Sequence, residues 1–597
     1  MHGVLRLIQN ELSKIYHQMS WKILTLLLLL LSIGAPIMSY GLTGGYDDYD
    51  FYANAERYME DYEEGSVERE YYQTVSEGHH FFADQGFTSD TWQYSTYAED
   101  YIRDLRNIRA FQLFIEGKDV VEIEQYFYID NVYLTWDDSN KPTLIYWGES
   151  FDENDEELPA ETAAPGMIGE DGIIGDGGYY EETEVPVTEE IAKKMIERYQ
   201  KDAEDIKVNV KQTFEEYAKS QIDRYQDRYA DIKKAFEAAK TEYEKDKSKL
   251  QDYMAVKLVK EGMDIVNEAI DRTDLKSINE DMQNVFAQTL DRAFGMTEEG
   301  ADFAQISEKK FSDNNDYVYF YGYGYEDYNE YLAAAEQRQT QYYNVVKKYA
   351  YSLEHGIPLD DYSISTRRVT EECLQINLSV VMFMAIFMAA VIVANEHTSG
   401  AVRLLMIRPR ARWKILLSKL CCLLIYTVGW IAATSALSTI TNIIIYGGKD
   451  MLIPYILVSG GEAFEAAPFL YYLMKMSVYF LPALSMVFLA FLFSVLVKRA
   501  VVSMAIPMLI NIFGGPASTL FVGKACKACP PLLFTPIPYF QLSNFWCDPL
   551  ERLYSYGGEA PLDHSMTLEM GVAMFVIYSL ILLVAAFVIF KKQQIKN

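Results

Sequence analysis

The chain has little cysteine. Six occur in 597 residues, and none precedes Cys373. Disulfides therefore do not staple the long stretch before that residue. The signatures of catalysis are missing as well. A phosphate loop needs Gly, four residues, then Gly-Lys-Ser/Thr. The nearest candidate, Gly523-Lys524-Ala525, has Ser518 where the first Gly belongs and Ala525 where the hydroxyl belongs. There is no His-Glu-x-x-His and no nucleophile elbow. His79-His80 has no Cys or His partner at metal spacing and reads as a surface pair. The acidic run 152–157 lacks the Gly and the spaced ligands of a calcium loop, so it reads as solvated charge. No catalytic, cofactor-binding or metal-ligating residue is assigned, and an enzyme is not expected.

What is present is unevenly spread. The net charge is −32, and the mean hydropathy is −0.07. Residues 41–373 hold 75 of the 85 acids and 34 of the 53 bases, which gives 34 − 75 = −41. The other 264 residues carry 19 − 10 = +9. One acidic polar block thus sits inside an apolar, mildly basic remainder. That excludes a uniform soluble globule and argues against nucleic-acid binding.

The apolar runs have membrane dimensions. About 20 such residues at 1.5 Å each cross a hydrocarbon core of roughly 30 Å. Six spans are expected: 21–41, 376–394, 415–446, 474–497, 501–522 and 570–590. A cleaved signal peptide is the rival for the first, but its basic n-region is over-long and amphipathic, through Leu5, Ile8, Leu12, Ile15 and Tyr16. Pro507, Gly514, Gly515 and Pro516 are expected to break the fifth span. Breakers are tolerated only where neighbours or a cavity satisfy the freed backbone, so that span should face protein.

Bases group at 6–22, 403–419, 498–499 and 591–596, all on one side of a six-span chain. The positive-inside rule makes that side cytoplasmic, with both termini inside a multi-pass plasma-membrane protein. Residues 42–373 would then form a large, mainly helical α+β extracellular domain, with shorter outer loops at 447–473 and 523–569.

Within the outer block, aromatic alternation over 42–150 suggests a few strands. Residues 151–187 are acidic, rich in Gly and Pro, and read as a linker. Over 188–260, apolar residues recur at steps of three and four with no Gly or Pro. That predicts a long amphipathic helix, or a helical hairpin of coiled-coil kind, reaching about 90 Å if unbroken. Tyr317, Tyr319, Tyr321, Tyr323 and Tyr325 alternate like a packed strand, or like a carbohydrate or peptide platform. Cys526, Cys529 and Cys547 fall in the last outer loop as a disulfide or free thiols.

The most informative segment joins the second and third spans: EHTSGAVRLLMIRPRARWKILLSK, from Glu396 to Lys419. Thr398 or Ser399 can cap a short amphipathic helix that Pro409 ends. The segment resembles the coupling loop of type-2 ABC exporter permeases: an acid, small residues, Leu-Leu, Pro with Arg, then Lys entering a span. The N-terminal 1–20 resembles that family's interfacial helix. The resemblance covers about 1–41 and 374–597, while the outer block departs from the family's short loops. It implies that Glu396, Gly400, Arg403, Leu404, Leu405, Arg408, Pro409 and Arg412 couple to a separate ABC ATPase. ATP would be bound by that subunit and not by this chain. It further implies a homo- or heterodimer in membrane lipid, with a transport path near Pro507, Gly514, Gly515 and Pro516. Val458–Glu462 mimics an ABC signature but falls in an outer loop and reads as coincidence. A large outer domain after one span is also similar to phage-infection/type VII-associated membrane proteins, or to a mechanotransmission machine acting on an extracellular partner without flux. A static adhesin or receptor scaffold is a third class.

Overall fold

A computed structural model describes residues 2–17, 19–43, 55, 57–59, 61–88, 91–136, 141–148, 183–313, 328–359, 366–398, 412–497, 499–545 and 567–592. The chain begins with α1 (His2–His17) and α2 (Met19–Thr43). A polar lobe follows. It holds α3 (Val67–Ala83), α4 (Trp92–Ile115), α5 (Val120–Phe127), β1 (Val132–Trp136), β2 (Pro142–Gly148), β3 (Thr183–Pro186), α6 (Glu189–Asn209), α7 (Phe214–Lys245), α8 (Leu250–Arg272), α9 (Glu280–Glu299), α10 (Glu308–Asp313) and α11 (Tyr328–His355). The apolar remainder holds α12 (Thr366–Thr398), α13 (Arg412–Tyr446), β4 (Tyr455–Ser459), β5 (Glu462–Ala466), α14 (Pro468–Leu496), α15 (Ala500–Ala528) and α16 (Leu568–Lys592).

The chain is a mostly helical, multi-pass membrane protein. Among the described residues, α2, α12, α13, α14 and α16 are long and apolar enough to cross a bilayer. The remaining expected span, the fifth in chain order, is α15. Its described apolar part, Ala500–Pro516, is shorter than the other five. The expected break in it does not occur: α15 runs through Pro507, Gly514, Gly515 and Pro516 as one helix. The prolines still remove two amide donors, and close packing on neighbours holds the helix together. Gly514 is where that packing is tightest, since a Cβ there would lie 2.7 Å from the Phe540 ring.

The bundle core is continuous, running through Leu28, Val381, Ala385, Leu423, Val487, Phe491 and Ala586. Side-chain hydrogen bonds stitch its helices. Trp430 Nε1 donates to Thr25 Oγ1 at 3.1 Å, and Asn377 Nδ2 donates to Ser438 Oγ at 2.6 Å. Ser438 Oγ donates to the Ser32 carbonyl at 2.6 Å. Such bonds are typical glue between helices in lipid.

The lobe is an α+β body. Three antiparallel strands in the order β1-β2-β3 pack on α5 and share a core with α4 and α6. The expectation of a few strands holds for 132–148. The expected linker ends in β3, and its residues 151–182 lie outside the described residues. The periodic run 188–260 is neither one helix nor a simple hairpin. Thr213 stops α6 and starts α7 with a capping box: its hydroxyl accepts from the Glu216 amide, and Glu216 accepts from the Thr213 amide. A second stop at Asp246 lets α7 and α8 pack back to back around Tyr225, Tyr229, Val259 and Met263. The alternating tyrosines 317–325 and the acidic run 152–157 also lie outside the described residues.

Among the described residues, the lobe meets the bundle around the β4–β5 hairpin. The hairpin β4–β5 packs against α11, with Ile456 inside the lobe core. Lys347 Nζ donates to the Gly461 carbonyl at 2.7 Å. Gly460 and Gly461 carry φ of +61° and +83°, as a two-residue hairpin turn with both centres left-handed requires. The signature-like Val458–Glu462 is therefore a turn sequence.

Candidate functional site

The chemistry gathers at the end of the bundle where α12 finishes and α13 begins. α1 is amphipathic, and one of its stripes is Leu7, Glu11, Ile15, all buried. Steps of four residues keep these on one face. A carboxylate in an apolar stripe must find a cation. Glu11 Oε2 lies 3.2 Å from Lys419 Nζ, on the second turn of α13. The same ammonium lies 2.6 Å from Glu396 Oε1, near the end of α12, and donates to the Ile392 carbonyl at 3.2 Å. Lys14 Nζ closes the set, 2.8 Å from Glu11 and 3.5 Å from Glu396.

Two carboxylates and two ammoniums thus sum to zero charge across three helices. Lys419 is 1% exposed and Glu11 8%. Burial disfavours the Glu11 carboxylate, but Lys419 and Lys14 outweigh it, and its pKa is held below the ordinary range. Burial likewise disfavours the Lys14 ammonium, and Glu11 with Glu396 hold its pKa above the ordinary lysine value. Both α1 groups are therefore charged at neutral pH.

The joint ties both ends of the loop that the sequence singles out. Glu396 lies before that loop and Lys419 after it. Of the coupling residues, Glu396 belongs to the joint and Arg412 opens α13. Gly400, Arg403, Leu404, Leu405, Arg408 and Pro409 lie outside the described residues. Glu11 and Lys14 were not picked from sequence as functional residues, and Lys419 was read only as the end of the motif. Glu11 had a visible signal, an acid in the apolar stripe of an amphipathic helix.

The path residues fall elsewhere. A cavity of about 300 Å³ opens between α12, α14 and α15. Gly515 and Pro516 line it. Gly514 packs on Phe540 beside it, and Pro507 is buried two turns away on the same helix. Residues 530–545, within the expected loop 523–569, form short 3-10 turns packed on the helices, with Tyr539 and Leu542 buried against Val478 and Phe575. Cys529 is a free, exposed thiol, while the Cys526 side chain and Cys547 lie outside the described residues. Among the described residues no three His, Cys, Asp or Glu converge on a metal position.

At the opposite end of the bundle, Arg367 is 2% exposed on the first turn of α12. Its guanidinium donates to the carbonyls of Ile453 at 3.0 Å, Pro454 at 2.9 Å and Pro358 at 3.1 Å. One turn on, Glu371 pairs with the buried Lys475 of α14. α12 is thus fixed to the lobe junction at one end and to the ionic joint at the other.

Comparison with known proteins adds family likeness without an activity. Residues 339–595, the stretch from α11 to α16, match the family described as protein of unknown function DUF2705. The uncharacterized protein YhcI of Bacillus subtilis (strain 168) is 26% identical over 250 residues, 41% of this chain and 74% of its own. No solved structure gives a significant match.

Proposed function

We propose that this chain is the membrane-spanning subunit of an ATP-driven exporter, a permease powered by a separate ABC ATPase. The observation that carries it is the ionic joint of Glu11, Lys14, Glu396 and Lys419. Paired charges in a low-dielectric site hold their helices in one geometry. A push on the loop 399–411 would therefore reach α1, α12 and α13 together. The reading includes six spans, with α15 as the fifth, and places the joint, the loop and both termini in the cytoplasm. The lobe would then be extracellular and the complex dimeric, with cargo passing near α12 and α15.

The test is co-purification of the full chain with its ATPase after Arg403→Glu and Gly400→Pro. The reading expects loss of the ATPase from both. Retention of the native amount in both contradicts it.

A second reading has its own observation. α12 spans 33 residues, with Arg367 of the lobe junction on its first turn and Glu396 of the joint on its last. At 1.5 Å per residue that is about 50 Å of helix. The same ATP-driven motion would then work the lobe on an extracellular partner, with nothing crossing. ATP hydrolysis stimulated by cargo, with flux into vesicles, selects export. Hydrolysis stimulated by an outer partner without flux selects mechanotransmission.

A further inference from the structure

We infer that the cavity between α12, α14 and α15 is a binding site for a small amphiphile whose polar head donates hydrogen bonds, an alkylamine or alkanol in kind, and that it rejects anions. Two prolines make the case. Pro482 lies inside α14 and Pro516 inside α15. Neither has an N–H, so the carbonyls four residues earlier, on Val478 and Ile512, lose their helical donors. All four residues line the cavity. Two acceptors without their usual partners therefore sit at one hollow, on two different helices, in the apolar part of the chain. Leaving such acceptors dry costs free energy, so a donor is wanted there.

The remaining wall agrees in sign. Asn511 adds a side-chain amide to the lining, and Tyr479 and Ser543 add hydroxyls, so the polar part of the wall is neutral. Ser379, also in the wall, spends its proton on the Gln375 carbonyl at 3.0 Å and presents lone pairs. Phe383 and Phe540 add aromatic rings, whose faces attract cations. None of the lining residues is Asp, Glu, Lys, Arg or His. A carboxylate or phosphate would meet no counter-charge there. The 300 Å³ holds on the order of ten heavy atoms at the roughly 30 Å³ that a water molecule takes in liquid.

The site stands whether or not the bundle exports anything. Binding without flux would leave it in place and remove the export reading.

The experiment uses the full chain in phosphatidylcholine nanodiscs at pH 7. Diazirine-tagged decylamine and diazirine-tagged decanoate are photolysed separately, and the labelled peptides are mapped. The expected result is amine labelling of residues 478–483 and 511–516 roughly ten-fold above the carboxylate, a difference of about 1.4 kcal/mol. Untagged decanol competes with the amine, and untagged decanoate does not. Ala483→Phe, which fills the cavity, removes the labelling. Pro482→Ala with Pro516→Ala restores both helical donors and lowers the amine-to-carboxylate ratio; this pair decides the matter if Ala483→Phe fails to fold. Equal labelling by amine and carboxylate overturns the inference, as does a ratio unchanged by the two proline substitutions.

Discussion

Lys419 Nζ sits 2.6 Å from Glu396 Oε1, and the two residues bracket the loop between α12 and α13. Lys419 is one of the most completely buried cations in the chain, at 1% exposure. Removing Glu396 leaves Glu11 as the one carboxylate of the joint beside two ammoniums, so a partly buried positive charge goes uncompensated. Glu396→Ala is expected to destabilise the bundle by about 3 kcal/mol, whereas Glu396→Leu with Lys419→Met costs less, because Glu11 and Lys14 remain paired. Thermal unfolding of both variants in the same detergent checks the order. A double variant less stable than the single one contradicts it.

The joint has a pH window with a definite sign. The Glu11 pKa is lowered in the folded chain, so its contribution is present above the unfolded value near 4.5 and fades as pH falls through the folded one. The Lys14 pKa is raised, so its contribution is present below 10.5 and is lost as pH rises beyond it. Hydrogen exchange of α1 amides, corrected for intrinsic rates, should show flat protection from about pH 5 to 10. Protection should fall below that window, and Glu11→Gln should abolish the acid limb.

The lobe carries the opposite case. Asp104 is 3% exposed between α4 and α6. Burial pushes its pKa up to about 7; Arg103 opposes this, and Asp202, Asp100 and Asp130 add to it. A raised carboxyl pKa costs stability progressively as pH climbs from the unfolded 3.8 to about 7. Asp104→Asn should therefore stabilise the lobe on the order of 2 kcal/mol at pH 8, and far less at pH 4. Lobe melting temperatures at the two pH values check this. An equal gain at both contradicts it.

How much of this was legible in the sequence depends on the range of the interaction. The five long apolar helices could be read because hydropathy is local, and so could the lobe's strands at 132–148. The stop at Thr213 was also written, as Thr-x-x-Glu, but an unbroken apolar period on both sides of it masked the change of direction. Glu11 stood in plain view within the Leu7–Ile15 stripe. Its partner Lys419 is 408 residues away, and no periodicity links the two. The cavity depends on Pro482, which lies within a strongly apolar run that reads as an ordinary span.

Arg367 offers a test of the lobe junction. Its three carbonyl contacts are charge-assisted, and each such bond contributes about 1.5–3 kcal/mol. Arg367→Met should leave α7 and α8 protected from hydrogen exchange while the amides of β4 and β5 exchange faster. Unchanged β4–β5 protection would show that the hairpin is held by packing on α11 alone.

The central claim is that ATP-driven force enters through the loop and is passed on by the joint. It is met most directly by the rate of ATP hydrolysis in the reconstituted complex of this chain with the ABC ATPase proposed as its partner, comparing the native chain with Glu396→Ala at equal assembly. The account predicts that the ATPase still binds while the permease-dependent stimulation of hydrolysis falls roughly ten-fold, the loss of about 1.4 kcal/mol of coupling. Native stimulation with Glu396→Ala would contradict it.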